Sequence, residues 1–189
     1  MTPEEVGARF VELLGEAAAV TVAFGQLHVD VPAGRWVEAA TLACDDDALG
    51  FGYFDWLSAV DELDDGFAIV AHLYSIEHRH HVLLRTHVPR AEPELASLTG
   101  VFAGAAWHER ETYEMFGVTF AGHPDLKPLL LPDGFEGYPL RKDFILAARV
   151  AKPWPGAKEP GESAPSRRRI RPPGVPDPAE WGPEAVRDA

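Results

Sequence analysis

Pro124, Pro128, Pro132 and Pro139 follow one another at intervals of four to seven residues. A proline inside a helix removes a hydrogen bond and clashes with the preceding turn, and in a central strand it removes a ladder donor. This stretch must therefore run extended or in turns. It is bracketed by charge, with Glu109-Arg110-Glu111 and Glu114 upstream and Arg141-Lys142-Asp143 downstream. The segment Glu109–Phe144, ERETYEMFGVTFAGHPDLKPLLLPDGFEGYPLRKDF, thus mixes acids, bases, aromatics, glycine and proline. A self-contained core does not need that mixture. A rigid polar docking surface does, and so does an active site.

The segment opens on a helix predicted over Ala105–Phe116 and stopped by Gly117. Helical spacing puts Trp107, Glu111 and Glu114 on one face and Glu109, Tyr113 and Phe116 on another. Three readings stay open. Paired carboxylates can do acid/base work. A solvated surface would carry an Arg110–Glu114 pair worth ~0.3–0.5 kcal/mol. A buried polar network would fix a contact with a neighbouring protein. His108-Glu109 begins like the zinc helix HExxH, but position 112 is threonine, so the second ligand is missing. His123 and Asp125 fit turn chemistry, and no nucleophilic serine or cysteine stands beside them. Arg141 can grip a carboxylate bidentately. Its expected partners are the acids of the Glu109–Glu114 helix, or one supplied by a neighbouring chain.

Upstream, Thr2-Pro3-Glu4-Glu5 reads as a capped helix start, with Val6, Phe10, Leu13 and Leu14 as its apolar stripe. Strand-like runs Ala19–Phe24 and Leu27–Val31 flank a break at Gly25. Pro32–Asp45 reads as a second helix, with Trp36, Ala40 and Ala43 on one face. Three acids at Asp45-Asp46-Asp47 suit a loop better than a helix C-terminus. Strand-like runs Gly52–Val60, Phe67–Ile76 and His81–Val88 follow, joined by hairpin turns at Asp64-Asp65-Gly66 and Glu77–His80. Leu95–Phe102 is expected to be a short helix. The order αββαβββ with short links predicts a two-layer α/β (α+β-like) fold: one small mixed or antiparallel sheet with helices on one face, then an extended C-terminal arm. By segment, residues 1–104 form the α/β domain, 105–150 the signature helix and proline-rich docking segment, and 151–189 a flexible tail. In that tail 9 of 39 residues are proline.

Composition narrows the chemistry. Cys44 is the sole cysteine, so the chain has no ligand set for an iron–sulfur cluster, a cysteine zinc site or an internal disulfide. Neither a GxGxxG nor a GxxxxGK[ST] motif is present. His72, His78, His80 and His81 surround one strand pair. The parity of His72, His78 and His80 would put them on one side, as a metal site, a pH-sensitive turn or plain exposed histidines. Of the net charge of −13, residues 1–100 carry −12, while residues 149–189 carry +2. An acidic body disfavours nucleic acid. The run Arg167-Arg168-Arg169-Ile170-Arg171 reads as a solvated charge run or a contact for an acidic groove. No apolar run reaches membrane-span length, and the N-terminus lacks the pattern of a secretory signal.

ERETYEMFG, GHPDLK and LLLPDGFEGYPLRKDF closely resemble the signature region of the C subunit, the 30 kDa subunit family, of the proton-pumping NADH-quinone oxidoreductase (respiratory complex I). Three positions depart from the family pattern: Lys127 stands where arginine is usual, Gly134-Phe135 where Asp-Trp is usual, and Tyr138 where histidine is usual. A quinone-adjacent role for that histidine does not carry over. The resemblance implies a non-catalytic subunit of the hydrophilic arm, peripheral on the cytoplasmic side of the cell membrane. It implies contacts with the D-like and B-like subunits, membrane association only through the complex, and no nucleic acid. FMN, iron–sulfur clusters and quinone would belong to partner subunits, with no cofactor in this chain. The implied structural and interface residues are Glu109, Arg110, Glu111, Tyr113, Glu114, Phe116, His123, Asp125, Arg141, Lys142 and Asp143. Two alternatives stand beside this: the equivalent subunit of a membrane-bound hydrogenase or a reduced-deazaflavin dehydrogenase, and a free-standing hydrolase using Glu/His chemistry.

Overall fold

In the computed structural model the described residues are 1–145. The tail 151–189 and its arginine run lie outside them. Helix α1, Pro3–Leu14, starts on the expected capping box: Thr2 accepts from the Glu5 amide and Glu5 reaches back to the Thr2 amide. Such a cap is worth about 1 kcal/mol. Strands β1 (Ala19–Ala23) and β2 (Gln26–Asp30) form an antiparallel hairpin. A 3-10 turn over Ala33–Arg35 leads into α2, Trp36–Asp45, which buries Trp36, Ala39, Ala40 and Ala43. The acids after it form the expected loop, where the Asp46 carboxylate accepts the amides of Ala48 and Leu49 and pairs with Arg9.

Strands β3 (Tyr53–Asp61), β4 (Phe67–Ser75) and β5 (His80–Val88) complete a five-stranded sheet in the order β1-β2-β5-β4-β3. All pairings are antiparallel except β2 with β5, so the sheet is mixed. One face, with Leu27, Val29, Leu57, Ala59, Ile69, Ala71, Leu73, Val82 and Leu84, is buried in one core with Phe10, Trp36, Ala105 and Phe116 of the helices. The opposite face carries Trp56, Ser58, Val70, His72, Leu83 and Arg85 and is only partly covered. This is the two-layer arrangement expected, with helices on one face.

Two readings of local structure change. Leu95–Phe102 is not a helix. Glu94–Ala96 is strand β6, which pairs in parallel with β7, Thr119–Ala121, and turns follow through residue 101. Leu95, Leu98 and Phe102 are all buried, so their helix-like spacing is satisfied by a strand and a turn instead. The histidines do not share one side. The β4–β5 register pairs Ser75 with His80 and Tyr74 with His81, so His80 points into the core and His81 to the open face. The turn therefore breaks the parity. His72 and His81 meet with ring centroids 5.4 Å apart, and His78 stacks on His80 at 5.5 Å.

Helix α3, Ala105–Phe116, ends at Gly117 in the left-handed region, φ 74°. It packs on β3, and Ala105 and Phe116 join the common core, so the segments 1–104 and 105–145 share one core. From Gly122 to Ile145 the chain runs in turns and extended stretches, as the prolines require.

Candidate functional site

Helix α3 is the frame to which the proline-rich segment is tied. Its core stripe is Ala105, Glu109, Thr112 and Phe116, so one of its acids sits at a core position. Glu109 is 0% exposed. Its carboxylate accepts from the Leu98 amide at 2.6 Å and from the Ser97 hydroxyl at 2.6 Å. Burial pushes its carboxyl up, and these two donors with nearby His123 only partly offset that. Glu109 therefore sets the turn after β6 and cannot touch a neighbouring chain directly.

Glu114 is also buried, away from exposed Trp107 with which helical spacing had grouped it. Its two oxygens accept the amides of Leu130 and Leu131 at 2.7 and 2.8 Å. Burial would raise its carboxyl, but these amides and Arg110 hold it below the usual range, so it stays ionised. The expected Arg110–Glu114 pair is not formed. Arg110 instead donates to the carbonyls of Lys127 and Pro128 and lies over the Trp107 ring at 5.5 Å. Proline supplies no N–H, so the carbonyls and the few free amides are what this segment can offer, and α3 binds both kinds. His123 adds a third tie: Nε2 donates to the Ala106 carbonyl and Nδ1 accepts the Asp125 amide. Asp125 itself pairs with Lys127 at the surface, at 2.7 Å. Glu111 and Tyr113 are both half-buried.

Arg141 departs from expectation. It meets no acid of the Glu109–Glu114 helix. Its Nε donates to the Phe116 carbonyl at 2.6 Å, and its guanidinium lies over the rings of Tyr138 at 4.2 Å and Phe67 at 5.1 Å. The orphan carbonyls at a helix C-terminus favour a cation there, which explains the choice. Gly117 leaves the space: a Cβ at that position would fall 2.6 Å from Nη2 of Arg141 and from Cζ of Tyr138.

The acid that holds this end of the segment is Asp61, on β3, which lies outside the signature region and was not among the expected residues. It is buried and accepts the Lys142 amide at 2.8 Å, the Leu63 amide at 2.8 Å and Arg90 Nη1 at 2.7 Å. Arg90 then bridges to Asp143 at 2.7 Å. A signal was available: Asp61 has the same parity as Leu57 and Ala59, which makes it an inward-pointing acid at a strand end.

Among the described residues, no group of three or more His, Cys, Asp or Glu is arranged to hold a metal ion. His72 is bonded to Asp55 at 2.8 Å and stacked on Trp56, while His78 and His80 donate to the carbonyls of Asp47 and Leu49. Cys44 is half-buried, and burial pushes its thiol up, away from the reactive thiolate. Among the described residues no helix is long and apolar enough to cross a membrane.

The family described as respiratory-chain NADH dehydrogenase, 30 Kd subunit, matches residues 29–150. The chain belongs to this 30 kDa subunit family. The match spans β3 to β5, α3 and the clamped segment together. Within the 30 kDa subunit family, the chain is similar to the NADH-quinone oxidoreductase C subunit of Roseiflexus sp. (strain RS-1), 43% identical over 126 residues, 66% of this chain and 72% of that one. It is also similar to the C subunit of Bordetella avium, 35% identical over 193 residues, 93% of this chain and 90% of that one. Among solved structures it resembles the trypsin-resistant fragment (1-134) of Nqo5, with TM-score 0.55 and 28% identity over 67% of this chain and all of that one. It shares its fold with a chain of an archaeal membrane-bound sulfane sulfur reductase, with TM-score 0.71 and 23% identity over 84% of this chain and 98% of that one.

Proposed function

We propose that this chain is a structural subunit of the hydrophilic arm of an NADH-quinone oxidoreductase, where it supports electron transfer from NADH to quinone coupled to proton translocation. That it is a subunit of a multisubunit respiratory oxidoreductase follows from its family. The finer role rests on one observation. The polar groups of the signature segment are engaged within the chain: Glu109 on Ser97 and Leu98, Glu114 on Leu130 and Leu131, Arg141 on Phe116, and the Lys142 amide on Asp61 of β3. Carboxylates and a guanidinium so engaged fix a backbone and are not poised to move protons on a substrate. Held this way, the segment presents Leu130, Phe135, Tyr138 and Leu140 outward, with Trp107 of α3 also exposed. Aromatic and aliphatic side chains on a pre-organised backbone are what a protein interface uses.

In this reading the outward face meets the D-like subunit, close to the B-like one, and the chain is peripheral on the cytoplasmic side of the cell membrane. FMN, clusters and quinone are held by partners. A second reading keeps the scaffold and changes the machine, since the fold also occurs in an archaeal respiratory membrane complex. The test is replacement of Arg141 by alanine in the native host. The expected result is a smaller complex on native gels and lower membrane NADH–quinone activity in proportion. A complex assembled at full size with its chemistry selectively lost would overturn the structural role. Identification of co-purified subunits separates the two machines.

A further inference from the structure

Between α3 and the proline-rich segment lies a cavity of about 200 Å³. Its lining includes the aromatic residues Tyr113, Phe135 and Tyr138, the acids Glu114 and Asp133, and Pro132. Small-molecule sites usually measure roughly 300–1,000 Å³, so this one is the size of a single side chain and not of a cofactor.

The charge in it is one-sided. Glu114 is 5% exposed and is held ionised by its amide donors. A buried carboxylate usually has a cationic partner. Among the described residues neither Glu114 nor Asp133 takes part in an ion pair. Arg110 acts on Glu114 only through space, because its N–H groups are directed to the carbonyls of Lys127 and Pro128. The Glu114 oxygens accept the Leu130 and Leu131 amides, with the Leu129 amide also acting on them, and a carboxylate has about four acceptor positions, so it retains capacity for a further donor.

We infer that this cavity is a socket for one arginine side chain of a neighbouring subunit, with Glu114 and Asp133 supplying the charge and the three rings the walls. Charge complementarity fixes the occupant as a cation. The aromatic walls favour a guanidinium, which is planar, weakly hydrated and stacks on rings, over an ammonium. The same segment already shows the preference, since Arg141 lies 4.2 Å over Tyr138. The inference rests on the docking reading and adds the chemistry of the contact.

The test uses the purified full-length chain titrated with N-acetyl-arginine amide, followed through the backbone amide resonances of Leu131, Gly134 and Gly137. Saturable shifts are expected, with roughly tenfold weaker binding of the lysine analogue and none of the uncharged citrulline analogue. Glu114→Gln risks the fold, so the informative variant is Asp133→Lys at the exposed rim, which places a cation in the socket. It should abolish the shifts, leave the melting temperature within a degree or so of wild type, and lower recovery of the chain in the native complex. Absence of saturable shifts, or an equal response to citrulline, overturns the inference. So does a gain in affinity when Arg167, Arg168, Arg169 and Arg171 are changed to Gln, because the chain's own arginines would then be the occupant. If the probe binds but the Asp133→Lys chain enters the complex as well as wild type, the partner arginine is refuted while the docking reading stands. Failure of the wild-type chain to co-purify with any other protein of the complex refutes the docking reading itself.

Discussion

The Asp61 carboxylate accepts the main-chain N–H of Lys142 at 2.8 Å, across 81 residues of sequence. One acid on the sheet thereby fixes where the proline-rich segment returns. Arg90 doubles the tie by bridging Asp61 to Asp143. The return of the segment to the sheet thus depends on one buried carboxylate and one guanidinium outside the signature region.

Asp61→Asn should accordingly destabilise the full chain strongly. Its side chain is 1% exposed and Arg90 would lose its buried partner. The cost should be about 3 kcal/mol, a fall of roughly 6–12 °C in melting temperature. The wild-type acid should also show an acid limb. Burial acts to raise its carboxyl, but the amides of Lys142 and Leu63 with Arg90 hold it below the ordinary range. A depressed carboxyl contributes stability above its unfolded value of about 3.9, and that contribution is lost as pH falls through the folded value. Thermal melts from pH 5 down to 2.5 should fall more steeply for wild type than for Asp61→Asn.

Glu109 should behave in the opposite sense. Burial raises its carboxyl, so the folded state holds the proton more tightly than the unfolded one. Stability from this group is present below about pH 4.3 and is lost as pH rises towards the folded value. Glu109→Gln keeps an acceptor for the Leu98 amide and removes the buried charge. It should equal or exceed wild type in melting temperature at pH 7 and lose that advantage near pH 4. Glu109→Leu leaves the Leu98 amide unpartnered and should cost about 1–3 kcal/mol at either pH. If Glu109 took part in catalysis, Glu109→Gln would lower turnover of the assembled complex; the structural role predicts turnover close to wild type.

Sheet, helices and segment were legible because each follows from a local rule. The apolar run Phe67–Ile76 reads as a strand and is one over Phe67–Ser75, the capping box starts α1, and four prolines exclude regular structure after Gly122. The signature segment was legible as well, but not its wiring. Arg141 was matched to acids because opposite charges attract, whereas the nearest strong acceptor is the free carbonyl of Phe116 beside two aromatic rings. For Glu109 and Glu114 the sequence leaves acid/base work, a solvated surface and a buried polar network open, and it does not show that their partners are backbone amides of this chain. Asp61 and Arg90 lie far from the segment in sequence, and pairings of that range leave no periodic trace. The histidine parity failed for a similar reason, since a turn resets which face each strand residue occupies.

His80 predicts a further pH effect. Burial lowers its pKa, a drop only partly offset by its bond to the Leu49 carbonyl and reinforced by His78, the amino terminus and His81. Nε2 donates to the Leu49 carbonyl at 2.7 Å, while Nδ1 is buried without a partner. Protonation would place a charge and an unpaired N–H inside. The neutral form contributes stability above about pH 6.5, and that contribution is lost as pH falls towards the lowered folded value. His80→Gln keeps a donor for Leu49 and cannot titrate. Its melting temperature should lie slightly below wild type at pH 7.5 and change less between pH 7 and 5. Parallel curves for the two proteins across that range would show that His80 is not the group responsible.

Gly117 joins α3 to the stretch that leads to the clamp, and two demands meet at it. Its φ of 74° costs an L side chain about 1–2 kcal/mol. A Cβ would also overlap Arg141 and Tyr138, so Arg141 would have to leave the Phe116 carbonyl. Gly117→Ala should therefore destabilise by about 2–3 kcal/mol, more than the backbone strain alone. Arg141→Ala removes the overlap with Arg141 and leaves the one with Tyr138, so Gly117→Ala/Arg141→Ala should be less destabilised than the sum of the two single variants. The coupling should be about 1 kcal/mol or more in a double-mutant cycle. Simple additivity would mean that Arg141 and Gly117 do not compete for the same space. Native-gel assembly should follow the same order, with Gly117→Ala at least as defective as Arg141→Ala, because both release the segment that carries Phe135, Tyr138 and Leu140.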